Sequence, residues 1–393
     1  MSEAILVTGV GLVTPLGANA ESVWQAWARG ETGIRALAEG DSRLARGVDP
    51  SPLPEIACAG FVRDFQPREH VQAGLLRRMD WCSRMLVSAA RLATRDAGWT
   101  DEDEAVRART AIVVGSQFGN QRETARYTRK LVEEDLGAGS PMLFPNLVLN
   151  APAGYAAIDL GFTGPNLTVS EHEASGEAAL AAARDLLLAG AADRAVVGGV
   201  DEFGELYLSA LAERRLLHPS SQPGAKSTRG WMIPGEGAAV VLLEREEKAR
   251  HRNAAPYAVL EDAFTVGSRT LPYRLPDPGE AARVLTEALG GRPADGFLAL
   301  EDGGEERRAI DVRCREAMRR RSPNVAVAGF RGQTGDWGSA GMVGVALAAL
   351  ALRHGELPTE SGRRAAVSRI ALVGAARTGV IVPAVLRSAA ATS

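Results

Sequence analysis

The feature that most constrains this chain is the alternation of short, unbroken apolar runs with longer helical patterns. Ile5–Thr8, Ala111–Gly115, Arg194–Val200, Ala238–Glu244, Gly296–Leu300, Val325–Gly329, Ile370–Gly374 and Val380–Leu386 read as strands. Most place valine, leucine and isoleucine on consecutive positions, the pattern of strands buried on both faces. Between them lie helical patterns such as Arg78–Ala97, Ala174–Ala189 and Gly341–Arg353. Alternation of this kind predicts a layered α/β/α protein. The 393 residues suffice for one large domain or two fused halves, either with a substantial core. No short-period repeat or low-complexity linker interrupts the pattern.

Composition narrows the function more than the fold. A formal net charge of −3, with 24% charged residues, gives no support for nucleic acid as a partner. No apolar run approaches the roughly 18 residues that cross a bilayer, so no membrane association is expected. The opening MSEAILVTGVG reads as a strand entering a turn and not as a secretory leader. Cys58, Cys82 and Cys314 lie far apart without metal-ligand spacing, and a sparse, odd set suits a reducing compartment. The expectation is a cytoplasmic protein without a metal or other cofactor. Glu301–Arg321 is dense in Glu, Asp and Arg and reads as a solvated helix face.

Several landmarks then follow in order. VTGVGLVTPLG at the start is followed by Trp24, Trp27, Gly30 and Thr32–Ile34. AIVVGSQFG covers Ala111–Gly119, SPMLFPNLVLNAPAG covers Ser140–Gly154, and GPNLTVS covers Gly164–Ser170. AGAADRAVVGGVDEF runs Ala189–Phe203 and GWMIPGEGAAVVLLE runs Gly230–Glu244. TGDWGSAGMVGVALAALALRHGELP closes the series. Each is weak alone, but the ordered set, from about Ile5 to Pro358, resembles the β-ketoacyl synthase family. The resemblance implies the α/β thiolase-like fold: two βαβαβαββ halves in five layers, α-β-α-β-α. We place the halves at residues 1–245 and 246–393.

In active members a cysteine at a helix N-terminus takes the acyl chain as a thioester, aided by the helix end and its N–H groups. Two histidines assist decarboxylation and condensation, and a lysine supports the site. Here the segment reads Ser170-Glu171-His172-Glu173-Ala174-Ser175-Gly176, which puts Glu173 at the cysteine position. A carboxylate cannot carry a transferable thioester. The second histidine is replaced within Thr334-Gly335-Asp336, and the lysine appears as Arg331. The first histidine falls near Leu300–Asp302, most simply at Asp302. No lysine follows Lys248, and the only histidine after His251 is His354. The glycine-rich turn that bears a gating phenylalanine in the family reads GAARTG at Gly374–Gly379. The catalytic set is therefore degenerate at Glu173, Asp302, Arg331 and Asp336, with no catalytic residue intact.

Three roles stay open for Glu173: a carboxylate that stabilises its helix end or pairs with an arginine such as Arg331, a mimic of a thioester-borne carboxylate, or a link to a partner's site. His172 reads as a packed or capping residue. Asp336 is placed to pair with Arg331.

The resemblance implies a large dimer interface beside the active site. It is nearest to chain length factors, the non-elongating subunits that pair with an active ketosynthase in type II polyketide and aryl polyene pathways. That reading brings an acyl carrier protein as second partner. It puts Gln117 and Phe118 on the tunnel at the interface, and Leu143 and Phe144 across from the partner's pocket. Factors of aromatic pathways usually carry glutamine where this chain has Glu173. Two alternatives remain: a decarboxylase or acyl hydrolase or transferase working through Glu173, and a homodimeric scaffold.

Overall fold

The computed structural model describes residues 4–36, 58–99, 103–135, 137, 139–213, 217, 232–271, 273–300, 305–359 and 361–389. Ten main strands follow the expected runs, with two additions. They are β1 (Ile5–Val13), β2 (Thr110–Gly115), β3 (Asn166–Val169), β4 (Arg194–Asp201), β5 (Gly237–Arg245), β6 (Ala258–Ala263), β7 (Gly296–Leu298), β8 (Ala326–Ala328), β9 (Arg369–Ala375) and β10 (Val380–Ser388). The sequence reading passed over β3 and β6. β3 holds no buried residue and β6 carries two adjacent acids, so neither shows the apolar run by which the others were found. Among the helices that connect these strands are α1 (Trp81–Asp96), α2 (Ala151–Leu160), α3 (Ser175–Leu188), α4 (Pro278–Ala288), α5 (Glu305–Arg319) and α6 (Gly341–His354).

The strands pair in the order β3-β2-β4-β5-β1 and, in the second set, β8-β7-β9-β10-β6. The two orders are the same once each set is numbered from its own start. Directions repeat as well. β2 runs parallel to β3 and β4, and β7 runs parallel to β8 and β9. β5 is antiparallel to β4 and β1, and β10 is antiparallel to β9 and β6. Each set thus reads βαβαβαββ. The two join at one edge, where β1 and β6 pair antiparallel.

Burial sorts the helices into layers. α6 reads GMVGVALAALALRH, apolar all round, and is buried from Gly341 to Leu352. A helix of that composition belongs inside a core. It packs against α3, and the pair lies between the two strand sets. α1 and α2 cover the outer face of the first set, while α4 and α5 cover that of the second. The result is the five-layer α-β-α-β-α arrangement. Among the described residues no helix is long and apolar enough to cross a membrane.

Candidate functional site

β3 ends at Val169, and the chain must reverse almost at once into α3. It does so through a 3₁₀ turn, His172–Ala174, with His172 in the left-handed region at φ 45°. Ser175 stitches the turn: its Oγ accepts from the Glu171 N–H at 3.0 Å and donates to the His172 carbonyl at 2.7 Å. Gly115, at the end of β2, permits the close approach of α3, because a Cβ there would lie 2.1 Å from the Ser175 carbonyl oxygen. The turn delivers Glu173 to the N-terminal end of α3. A negative charge there is favoured by about 0.3–1 kcal/mol.

The partner of Glu173 is Arg377, on the β9–β10 hairpin. Glu173 Oε1 pairs with the Arg377 guanidinium, and Oε2 accepts the Arg377 backbone N–H at 3.1 Å. Burial pushes the Glu173 carboxyl up, but the charges of Arg307 and Arg377 and the N–H bond outweigh it and hold the group below the ordinary carboxylate range. The expected partner, Arg331, is committed elsewhere. Arg377 continues outward to Glu306 at 3.6 Å, which in turn meets Arg274 at 2.9 Å.

Arg331 opens the helical turn Arg331–Thr334. Its Nε donates to Asp336 Oδ1 at 2.9 Å and its Nη1 donates to the Leu300 carbonyl at 2.8 Å. The other oxygen of Asp336 pairs with Arg307. The side chains of Arg307, Asp336 and Arg331 are 5%, 4% and 3% exposed, so this is a buried Arg–Asp–Arg triad. Backbone bonds pin Asp336 in place: its N–H reaches the Ile233 carbonyl at 2.8 Å and its carbonyl accepts from Gly235 at 2.9 Å. Burial works to lower the Arg307 pKa, but Asp336 and Glu173 overcome it and hold that guanidinium above its usual value. The sequence reading therefore placed Arg331 and Asp336 together correctly. Asp302 lies outside the described residues.

Four residues of the cluster were missed: Arg307, Arg377, Tyr207 and Glu177. Arg307 lies in the segment read as a solvated face, and the structure corrects that reading. α5 buries Ile310, Cys314 and Met318, and Arg307 and Asp311 fall on the same stripe. That spacing was the available signal. Arg377 stood in the degenerate turn but was not singled out. Tyr207 lies in the helix Glu205–Glu213, and burial, then the Asp336 and Glu173 charges, push its phenol up.

Glu177, one turn along α3, is 2% exposed. Gly341 makes room for it, since a Cβ there would sit 2.0 Å from the carboxylate. It faces a small cavity that Arg331, Leu300 and Phe330 also line. Burial drives its carboxyl above the ordinary range against the Arg331 charge.

Gln117 and Phe118 stand beside this cluster. Gln117 Nε2 is 3.3 Å from His172 Nδ1. The Phe118 ring is 4.8 Å from Tyr207 and 6.4 Å, edge-on, from His172. Phe118 is 40% exposed and so is no plain core residue of this chain. Leu143 and Phe144 lie on an outer segment, where Phe144 is 59% exposed and approaches Tyr127.

Cys58, Cys82 and Cys314 are buried, and burial raises each thiol. Such cysteines are inert. Among the described residues, the cluster contains neither cysteine nor lysine, and its imidazole, His172, is exposed. The arrangement holds opposite charges against one another and presents no activated nucleophile.

Two matched βαβαβαββ sets around a central helix pair, with Glu173 just before one of those helices, define a thiolase-like protein. The model of the β-ketoacyl synthase N-terminal domain matches residues 2–249, more than half of the chain, which belongs to that family. A mitochondrial 3-oxoacyl-[acyl-carrier-protein] synthase of Arabidopsis thaliana is 28% identical over 90% of this chain and 82% of its own length. The 3-oxoacyl-[acyl-carrier-protein] synthase 2 of Coxiella burnetii is 25% identical over 90% and 87%. Among solved structures, the ishigamide ketosynthase/chain length factor superposes with a TM-score of 0.85 at 22% identity, covering 99% of this chain and 100% of that one. A type II PKS acyl-carrier protein in complex with its ketosynthase gives 0.82 at 16% identity, covering 99% and 100%. At these identities the structural likenesses establish the fold alone.

Proposed function

We propose that this chain is a non-elongating ketosynthase-like subunit, a chain length factor. It pairs with an active ketosynthase and shapes the tunnel for a polyketide or polyene chain delivered by an acyl carrier protein. We take its two halves as residues 1–245 and 246–393. The observation that carries the reading is the ion pair of Glu173 with Arg377. The position at which active relatives hold a thiolate is occupied by a carboxylate already neutralised from the opposite half of the molecule. Arg331 and Asp336, at the lysine and second-histidine positions, likewise satisfy each other. Proton transfer needs a group free to reach substrate, and both side chains are sealed from solvent and bound to each other.

The surface supports a partner. Among the described residues β3 ends the sheet and leaves one edge of its backbone open, with Leu167 41% exposed. Open edges of this kind are templates for pairing with another chain. Met142, Phe144 and Val148 add exposed apolar side chains. The names of two solved relatives, a ketosynthase/chain length factor and a ketosynthase with its acyl-carrier protein, fit such a complex.

Co-expression with a candidate active ketosynthase, followed by co-purification and native mass measurement, tests the reading. A 1:1 complex that elongates a carrier-bound chain only when both subunits are present is expected. Recovery of this chain solely as monomer or homodimer, or elongation by this chain alone, overturns it.

A further inference from the structure

The surroundings of Glu173 have the composition of a receptor for a small acid. The Arg377 guanidinium grips one carboxylate, and the charge of Arg307, itself paired with Asp336, acts on that carboxylate from nearby. The Arg377 backbone N–H adds a directed donor at 3.1 Å. Guanidinium with a carboxylate, reinforced by a main-chain N–H, is the strong form of hydrogen bonding. The site is largely closed to water: the Glu173 side chain is 14% exposed and that of Arg307 5%. Its opening side is formed by Arg377, 33% exposed, on a tight hairpin closed by the Gly379 N–H to Ala376 carbonyl bond at 2.9 Å. The donors come from the second strand set and the acceptor from the first, so the bound carboxylate also ties the two sets together.

We propose that the Arg377 guanidinium and its backbone N–H form a carboxylate-binding pocket, and that Glu173 is its intramolecular ligand. The ligand class is a small monocarboxylate, or the terminal carboxylate of a longer acid. In the native chain the pocket is self-occupied. A tethered ligand competes at an effective concentration of at least about the millimolar range, so a free acid gains entry only when Glu173 is displaced or removed. Glu173 thus closes the site, and the β9–β10 hairpin acts as its clasp. This inference rests on geometry within the one chain and is independent of the proposed pairing with a ketosynthase.

The test uses the full chain and its Glu173→Ala variant, titrated with sodium acetate and sodium propionate against sodium chloride at matched ionic strength. Melting temperature and isothermal calorimetry are read. Glu173→Ala is expected to melt below the native protein and to recover saturably with acetate or propionate, by several degrees more than with chloride. The native protein is expected to respond equally to acetate and chloride. Combining Glu173→Ala with Arg377→Gln should abolish the difference. Equal responses of Glu173→Ala to acetate and chloride overturn the proposal, as does saturable acetate binding by the native chain. Glu173→Ser, which keeps a polar residue suited to a helix start, serves if the alanine variant does not fold. Refolding of either variant only in acetate supports the pocket, and failure of both with and without acetate overturns it.

Discussion

Asp336 lies 2.9 Å from the Nε of Arg331, and with its other oxygen it also neutralises Arg307, all three side chains being sealed from solvent. One carboxylate therefore stands between two buried cations, where the family resemblance leads one to expect a histidine and a lysine. Restoring one catalytic residue here breaks a network and does not simply refill a vacancy.

Asp336→Ala removes the carboxylate that two buried guanidiniums share. Removing one partner of a buried ion pair typically costs about 3–5 kcal/mol. We expect a loss of that size in urea denaturation. A smaller loss, under about 1 kcal/mol, would show that water reaches the triad.

Glu173→Cys places a thiol where the family resemblance puts the nucleophile but supplies neither of the expected histidines nor the lysine. Missing acid–base and electrostatic groups are each worth factors of about a hundred or more. No condensation is expected from this variant alone, and intact mass should show no acyl transfer to the native chain from an acyl carrier. A stable adduct on the native protein, or chain extension by the single variant, contradicts this.

Phe118→Ala distinguishes a tunnel wall from core packing. A fully buried phenylalanine costs about 3–5 kcal/mol on truncation, but Phe118 is 40% exposed and rests on Tyr207 and His172. The isolated variant should therefore lose clearly less than that. In complex with an active ketosynthase it should shift carrier-bound products toward longer chains, read by chromatography. An unchanged length distribution from a well-folded complex removes Phe118 from the tunnel.

Glu202 is buried next to Asp80 and Glu236, and burial, aided by those two acids, pushes its carboxyl up to about 8 against the Arg122 N–H bond and charge. A raised carboxyl favours folding most at low pH. That contribution fades as pH rises from the unfolded value near 4.5 through about 8, because the unfolded chain gives up its proton first. Glu202→Gln, which keeps an acceptor for the Arg122 N–H, should melt higher than the native protein above pH 8. The gap should narrow toward pH 4.5. A gap independent of pH shows that Glu202 is already ionised in the fold.

How much of this was legible before folding differs between fold and site. The layered α/β architecture could be read because a run such as Ala238–Glu244 or Gly341–Arg353 declares its burial locally. β3 escaped because it is a half-exposed edge strand whose order comes from its neighbour β2. The duplication of the two halves was legible only through the family resemblance, because it lies in strand order and direction, which repeat with no repeat of residues.

The residues alone put Glu173, Arg331 and Asp336 where the family resemblance leads one to expect a cysteine, a lysine and a histidine. They also suggested the Arg331–Asp336 pair, whose members are 5 positions apart, and the structure supplied its distance. Only the tertiary structure decided that Glu173 meets Arg377, 204 positions away, while Arg331 does not reach it. Burial forces every charge to find an opposite, but periodicity reports only which face of an element turns inward. Which cation lies opposite which carboxylate depends on how elements distant in the chain cross, and here the β9–β10 hairpin and α5 bring their arginines to the start of α3.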